Sequence, residues 1–115
     1  MPIALGLAAC GGREARPQAA DMQKAEALRP GDAGLAEKYQ RSCLICHGAP
    51  ASQAPLTAFA PAWEPRLRQG MPALLAHVRD GFQAMPAQGY CNDCSDDELE
   101  RLIVFMAGAP TGANQ

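Results

Sequence analysis

The sequence predicts a small all-α domain, and three observations support this fold class. Leu99, Leu102, Ile103 and Met106 recur at i, i+3, i+4 and i+7, which is the spacing of one helix face. Residues typical of helix ends flank this apolar stripe and two other apolar segments. Strand-like alternation of apolar and polar residues is not visible in the sequence. With 115 residues, the chain has room for one small domain.

Large apolar residues are scarce for a packed globule. Leu, Ile, Val and Phe make up 19 of the 115 residues, whereas 23 residues are Ala. Such a composition predicts disorder only when the net charge is high, and here the formal net charge is -2. We therefore expect a folded domain whose core is completed by a large apolar cofactor. The near-neutral charge also argues against a nucleic-acid-binding protein.

The first expected helix runs from about Ala33 to Cys46. Asp32 can cap its start, and Leu35 and Tyr39 lie four residues apart on one face. The segment 48–62 contains three prolines and scattered alanines, which predicts an irregular loop.

Two further helices have clear boundaries. Pro72 opens one in its first turn, and Gly81 ends it. Ser95 and Glu98 form a capping box at the start of the other, which ends at Gly108.

The chain divides into four parts. Residues 1–10 resemble a truncated lipoprotein-type signal that ends at Cys10, although a buried or adventitious cysteine is the alternative. Residues 11–30 are rich in Ala and charge and predict a flexible tether with some nascent helix. Residues 31–110 form the domain, and 111–115 are a polar tail. No apolar run approaches the ~20 residues that span a bilayer.

The segment Cys43-Leu-Ile-Cys46-His47 is a c-type haem attachment sequence. Two cysteines three residues apart at a helix end lie on one face, so both thiols can add to the vinyl groups of one porphyrin. His47 then projects toward the iron from the same side. The alternatives are half of a zinc site completed by Cys91 and Cys94, or a thioredoxin-like redox pair, which needs a βαβ context that the sequence does not show.

Met85 is the expected second iron ligand. It lies 38 residues after His47, in a loop with flanking glycines, so the chain is long enough to reach the opposite face of the haem. A thioether ligand favours Fe(II) and raises the reduction potential. Met71 and Met106 lie on helices, where packing is the expected role.

These motifs together resemble the bacterial class I c-type cytochromes, in particular the cytochrome c5 group. The resemblance covers residues 31–108 and includes Trp63-Glu-Pro-Arg66, Met85-Pro86, and Cys91-x-x-Cys94 before the capping box. It implies three to four short helices wrapped around one covalently bound haem c, with iron ligated by His47 and Met85. It also implies that the Pro55 carbonyl orients His47. Tyr90 stands where the family often has Gly.

Five other residues have expected roles. Cys91 and Cys94 are expected to form a disulfide, because an oxidising compartment leaves little reason for two nearby free thiols; a redox-active dithiol is the alternative. Trp63 is expected to pack against the haem edge with its N–H toward a propionate, or to be an ordinary core anchor. Arg66 can offset propionate charge or stay solvated. His77 is expected on the surface.

The sequence therefore predicts an electron-transfer protein and not an enzyme. Its expected partners are transient protein donors and acceptors in the periplasm and a membrane reached through a lipid on Cys10, with no nucleic acid and no small-molecule substrate. One alternative is a small haem peroxidase or gas sensor with an exchangeable distal ligand. Another is a dedicated electron-transfer subunit of a dehydrogenase or oxidase.

Overall fold

A computed structural model describes residues 15–108, and that part of the chain contains six α-helices. The prediction of an all-α fold is confirmed, since the described residues contain no strand beyond an isolated bridge between Phe82 and Met85. The helices are Ala19–Ala27 (α1), Ala33–Arg41 (α2), Leu44–His47 (α3), Ala60–Leu67 (α4), Met71–Asp80 (α5) and Asp96–Ala107 (α6). Two 3₁₀-helices, Pro50–Ser52 and Ala87–Tyr90, lie between them.

The described part of the segment 11–30 contains more regular helix than the nascent helix expected in a tether. Helix α1 occupies Ala19–Ala27, so the described end of the expected tether is helical. Ala25 is fully buried, and the Arg29 guanidinium lies 6.0 Å from the centre of the Tyr39 ring on α2. The expected signal at 1–10, including Cys10, and the tail 111–115 lie outside the described residues.

The expected helix from Ala33 to Cys46 is broken in two. Helix α2 ends at Arg41, and Ser42 takes φ -122° and ψ -70° before α3 begins at Leu44. The Ser42 hydroxyl donates to the Tyr90 carbonyl at 3.4 Å, which is a long hydrogen bond. Because of this break, Cys43 lies between the helices while His47 ends α3.

Helix α4 was not predicted. The expected loop 48–62 ends at Phe59, and Ala60–Leu67 is helical with Pro61 in the first turn, where a missing N–H costs nothing. Pro65 lies inside the helix and removes one backbone hydrogen bond, which is why the sequence pattern looks unfavourable.

Helices α5 and α6 have the predicted boundaries. Ser95 Oγ accepts from the Glu98 N–H at 3.2 Å, and Glu98 Oε1 accepts from the Ser95 N–H at 3.1 Å, which completes the capping box. Gly81 and Gly108 follow the two helices with φ of 89° and 65°.

The core forms where α5 packs on α6, with α2 and α4 against α6. All four residues of the predicted α6 stripe are buried. The other core side chains come from α2, α4 and α5 and include Leu35, Tyr39, Trp63, Leu74 and Val78. Among residues 15–108, none of the helices is long and apolar enough to cross a membrane.

Candidate functional site

A cavity of about 290 Å³ opens beside this core. It is lined by residues of α3 to α6 and of the loops that follow α3 and α5. Cys43, Cys46, His47 and Met85, the four residues singled out from the sequence, all line it. The fold thus brings Met85 to the same cavity as a motif 38 residues earlier in the chain.

The imidazole of His47 has a fixed tautomer. Its Nδ1 lies 2.7 Å from the Pro55 carbonyl oxygen, and because a carbonyl only accepts, Nδ1 carries the hydrogen and donates it. The predicted role of Pro55 is confirmed by this contact. Burial, and secondarily the positive charge of Arg66, lower the pKa of His47, while the hydrogen bond to Pro55 opposes this shift. His47 is therefore a neutral imidazole whose Nε2 lone pair is free for a metal.

The segment 55–57 ties this histidine to the rest of the domain. The Thr57 N–H donates to the His47 carbonyl at 2.9 Å, and the Thr57 hydroxyl bonds the buried Tyr39 hydroxyl at 2.9 Å. The Leu56 carbonyl accepts from Trp63 Nε1 at 2.9 Å. Three successive residues thus connect α2, α3 and α4, so the ring of His47 has little freedom to turn.

The two thiols differ in their surroundings. Cys43 is buried, and burial raises the pKa of its thiol to about 11. Cys46 is only half-buried, one turn later on α3. Both line the cavity as neighbours of His47, so thiols and imidazole face one bound group together.

Met85 lies in a tight loop shaped by two glycines. Phe82 and Met85 exchange both backbone hydrogen bonds, at 3.0 and 2.9 Å. A Cβ on Gly81, whose φ is 89°, would lie 3.1 Å from the Ala87 nitrogen. A Cβ on Gly89 would lie 3.0 Å from the Met85 methyl carbon, so Gly89 leaves room for the thioether.

Two expectations about the cavity wall need revision. The Trp63 N–H does not point toward a propionate position, because it donates to the Leu56 carbonyl; the alternative role as a buried core anchor is the one observed. Its ring lies 5.8 Å from that of His47 and lines the cavity. His77 is half-buried and lines the cavity, stacked on Phe82 at 4.0 Å. The core residue Met106 also lines it.

Arg66 lines the same cavity, and its guanidinium donates to the Ala62 carbonyl. Among the described residues, it is the only lysine or arginine in the cavity lining. Its role in offsetting propionate charge stays a prediction.

The backbone is left-handed over three residues next to the Met85 loop. Gln88, Gly89 and Tyr90 have φ of 64°, 55° and 65°. A non-glycine residue in this region costs on the order of 1 kcal/mol. No sequence signal pointed to this strain apart from Tyr90 standing where the resembled family often has Gly.

Cys91 and Cys94 are joined by a disulfide, with sulfurs 1.99 Å apart. The turn that they close is fixed to α2, because Arg41 donates to both carboxylate oxygens of Asp93 at 2.6 Å. This hydrogen bond from Arg41 is the main cause that lowers the pKa of Asp93. Cys94 is followed by Ser95, so this pair lacks the histidine that follows Cys46.

The thiols, the imidazole and the thioether that line the cavity are the groups that bind haem c. Two thiols three residues apart can form thioether bonds to a porphyrin, and a neutral imidazole and a thioether are strong ligands for low-spin iron. The wall is mostly apolar, with Leu74, Val78, Ile103 and Met106 among its residues. Such a wall suits a porphyrin ring.

Comparisons with known proteins agree with this chemistry. The family described as "Cytochrome C oxidase, cbb3-type, subunit III" matches residues 31–106. Cytochrome c5 of Azotobacter vinelandii is 43% identical over 82 residues, which cover 70% of this chain and 94% of that protein. Cytochrome c5 of Ectopseudomonas mendocina is 41% identical over 70 residues, covering 59% and 80%.

A solved structure is also similar. It is described as an electron transfer complex of nitrite reductase with cytochrome c, and one of its chains aligns with a TM-score of 0.58 and 33% identity. The alignment covers 66% of this chain and 93% of that chain.

Removal of the disulfide between Cys91 and Cys94 should lower the stability of the protein modestly. Replacing both Cys91 and Cys94 by Ala should lower the free energy of unfolding by about 2 kcal/mol, because the closed loop is very short. Urea denaturation of the haem-loaded protein measures this change. Alkylation of the native wild type, followed by peptide mass analysis, should find both residues unmodified. Two alkylated sulfurs at these positions would show a dithiol instead.

Proposed function

Since the chain belongs to the class I c-type cytochromes of the cytochrome c5 group, and is an electron-transfer protein with covalently bound haem c rather than an enzyme, we propose that Cys43 and Cys46 hold the haem and that His47 and Met85 ligate its iron. The observation that supports this most is the meeting of all four side chains on one cavity. When bound, the haem supplies a one-electron Fe(III)/Fe(II) couple.

His47 would support this redox couple because its imidazole is neutral and is held in one orientation. Its Nδ1–H donates to Pro55, which leaves Nε2 for the iron and makes the imidazole a better donor. A ring held in this way would keep the rearrangement of the protein small when a bound iron changes oxidation state.

Ligation of the iron by Met85 would distinguish an electron carrier from the peroxidase or gas-sensor alternative. A Met85 thioether that ligated the iron together with His47 would leave no open site for peroxide or a gas. It also favours Fe(II), as does an apolar wall, and so raises the reduction potential.

The Cys91 and Cys94 pair is a poor alternative for haem attachment. Attachment there requires a histidine at position 95, where this chain has the serine that caps α6. Neither cysteine lines the cavity.

The partners are transient redox proteins in the periplasm. The similar chain in an electron transfer complex with nitrite reductase supports docking of this kind, and a nitrite reductase is a reasonable candidate acceptor. A dedicated role as an oxidase subunit is the second candidate, favoured by the family description that matches residues 31–106. A partner that co-purifies in fixed ratio would support the second role.

Replacing Met85 by Leu tests the proposed function. This nearly volume-conserving change removes the sulfur, so the oxidised protein should lose the weak far-red sulfur-to-iron band. The reduction potential should fall by roughly 100 mV or more, and cyanide or imidazole should bind at low concentration. Absorption spectra and redox titration measure these effects.

Met71→Leu is the matched control, because Met71 packs against the core and does not line the cavity. It should keep the band. A wild type that lacks the band and readily binds imidazole would contradict Met85 ligation and favour the sensor or peroxidase.

A lipid on Cys10 would place the carrier at a membrane, and the support for it is the short signal-like sequence 1–10. Protein made with a complete signal should fractionate with membranes, and Cys10→Ser should release it. A Ser variant that stays with membranes, alongside a wild type without lipid mass, would contradict the anchor.

A further inference from the structure

Two hydroxyl groups meet in the interior of the domain, and we call them the hydroxyl pair. Tyr39 on α2 is 0% exposed and Thr57 is 1% exposed, and their side-chain oxygens lie 2.9 Å apart. Burial raises the pKa of Tyr39, so both groups are neutral near pH 7 and one donates its hydrogen to the other. Neither residue lines the cavity, so the pair does not touch a group bound there.

The ring of Tyr39 is held without the help of its hydroxyl. Phe105 on α6 contacts it edge-on, with ring centroids 4.9 Å apart, and the Arg29 guanidinium lies 6.0 Å from its centre. A phenyl ring without a hydroxyl makes both kinds of contact. Burial of a hydroxyl costs free energy that its hydrogen bond does little more than offset. Packing therefore does not explain why two polar groups occupy this place.

Thr57 links α2 to the segment that contacts His47. Its N–H donates to the His47 carbonyl at 2.9 Å, and its hydroxyl bonds Tyr39. Pro55, two residues earlier, has no N–H with which to fix its own position. Its carbonyl oxygen, 2.7 Å from His47 Nδ1, is therefore placed by the residues around it, and Thr57 is one of them.

We propose that Tyr39 and Thr57 are positioning residues for His47, because their hydrogen bond holds the segment 55–57 where the Pro55 carbonyl keeps its bond to Nδ1. The inference rests on the proposed function, in which His47 Nε2 ligates the haem iron. A short hydrogen bond at Nδ1 makes the imidazole a stronger donor at Nε2. A stronger donor stabilises Fe(III) relative to Fe(II) and lowers the reduction potential. The hydroxyl pair thus lowers the potential of the site.

Separate removal of each hydroxyl from the haem-loaded protein tests this role. Tyr39→Phe and Thr57→Val nearly keep the shapes of the side chains, and each should weaken the bond between Pro55 and His47. The Fe(III)/Fe(II) equilibrium should shift about threefold toward Fe(II), which raises the potential by about 28 mV, at 59 mV for each tenfold change in a one-electron equilibrium. Redox titration measures this shift. The double variant should shift the potential no further than either single variant, because both changes break the same hydrogen bond.

Two control variants separate positioning from a loss of stability. Thr57→Ser keeps the hydroxyl and should keep the wild-type potential. Leu35→Val removes a methylene from a buried residue that lies on the same helix as Tyr39 and does not line the cavity. It should lower the midpoint of urea unfolding and leave the potential unchanged.

The hydrogen bond itself provides a second readout. The NMR signal of the His47 Nδ1 proton in reduced protein should move upfield in Tyr39→Phe, because the proton of a weaker hydrogen bond is more shielded. The same signal should stay in place in Leu35→Val.

An unchanged potential in Tyr39→Phe and Thr57→Val, an equal shift in Leu35→Val, or shifts that add in the double variant would overturn the positioning role. The far-red sulfur-to-iron band and the low-spin spectrum of the wild type report separately on iron ligation. With both present, any of these three results refutes the positioning role alone. A wild type without them contradicts the proposed ligation and the inference together.

Discussion

The shortage of large apolar side chains is the constraint on which this fold depends. Leu74, Val78, Ile103 and Met106 belong to the hydrophobic core and also line the cavity, so they serve two surfaces at once. A chain richer in Leu and Phe could close such a core with its own side chains. Here the helices pack beside the cavity, and covalent haem c supplies the apolar area that the sequence lacks.

The two sides of the cavity are fixed by different means. On the His47 side, three residues, 55–57, hydrogen-bond to α2, α3 and α4, so His47 is part of the main hydrogen-bonding network. On the Met85 side, position depends on a small backbone bridge and on two glycines that leave space. The loop of Met85 is held by fewer hydrogen bonds than the segment 55–57. Local opening is therefore expected on the Met85 side of the cavity.

Local signals predicted the elements that depend on local contacts. The boundaries of α5 and α6 follow from Pro72, Gly81 and the Ser95 capping box, all of which act within one turn. The break at Ser42 and the helix around Pro65 depend on tertiary contacts that single-sequence patterns do not encode. The hydrogen bond of Trp63 shows the same limit, because its partner lies in a loop without regular spacing. The proposed haem attachment motif is visible in the sequence because its chemistry requires contiguous residues.

The most direct test of this account compares the protein made with and without a haem-attachment system, using far-UV circular dichroism. The account predicts that apo protein with reduced Cys43 and Cys46 shows roughly half or less of the helical signal of the haem-loaded form, because the core lacks its largest apolar group. Haem loading should restore cooperative thermal unfolding, with colour that resists acid-acetone extraction. A colourless apo protein with full helix content and a cooperative transition would contradict the claim that haem completes the core.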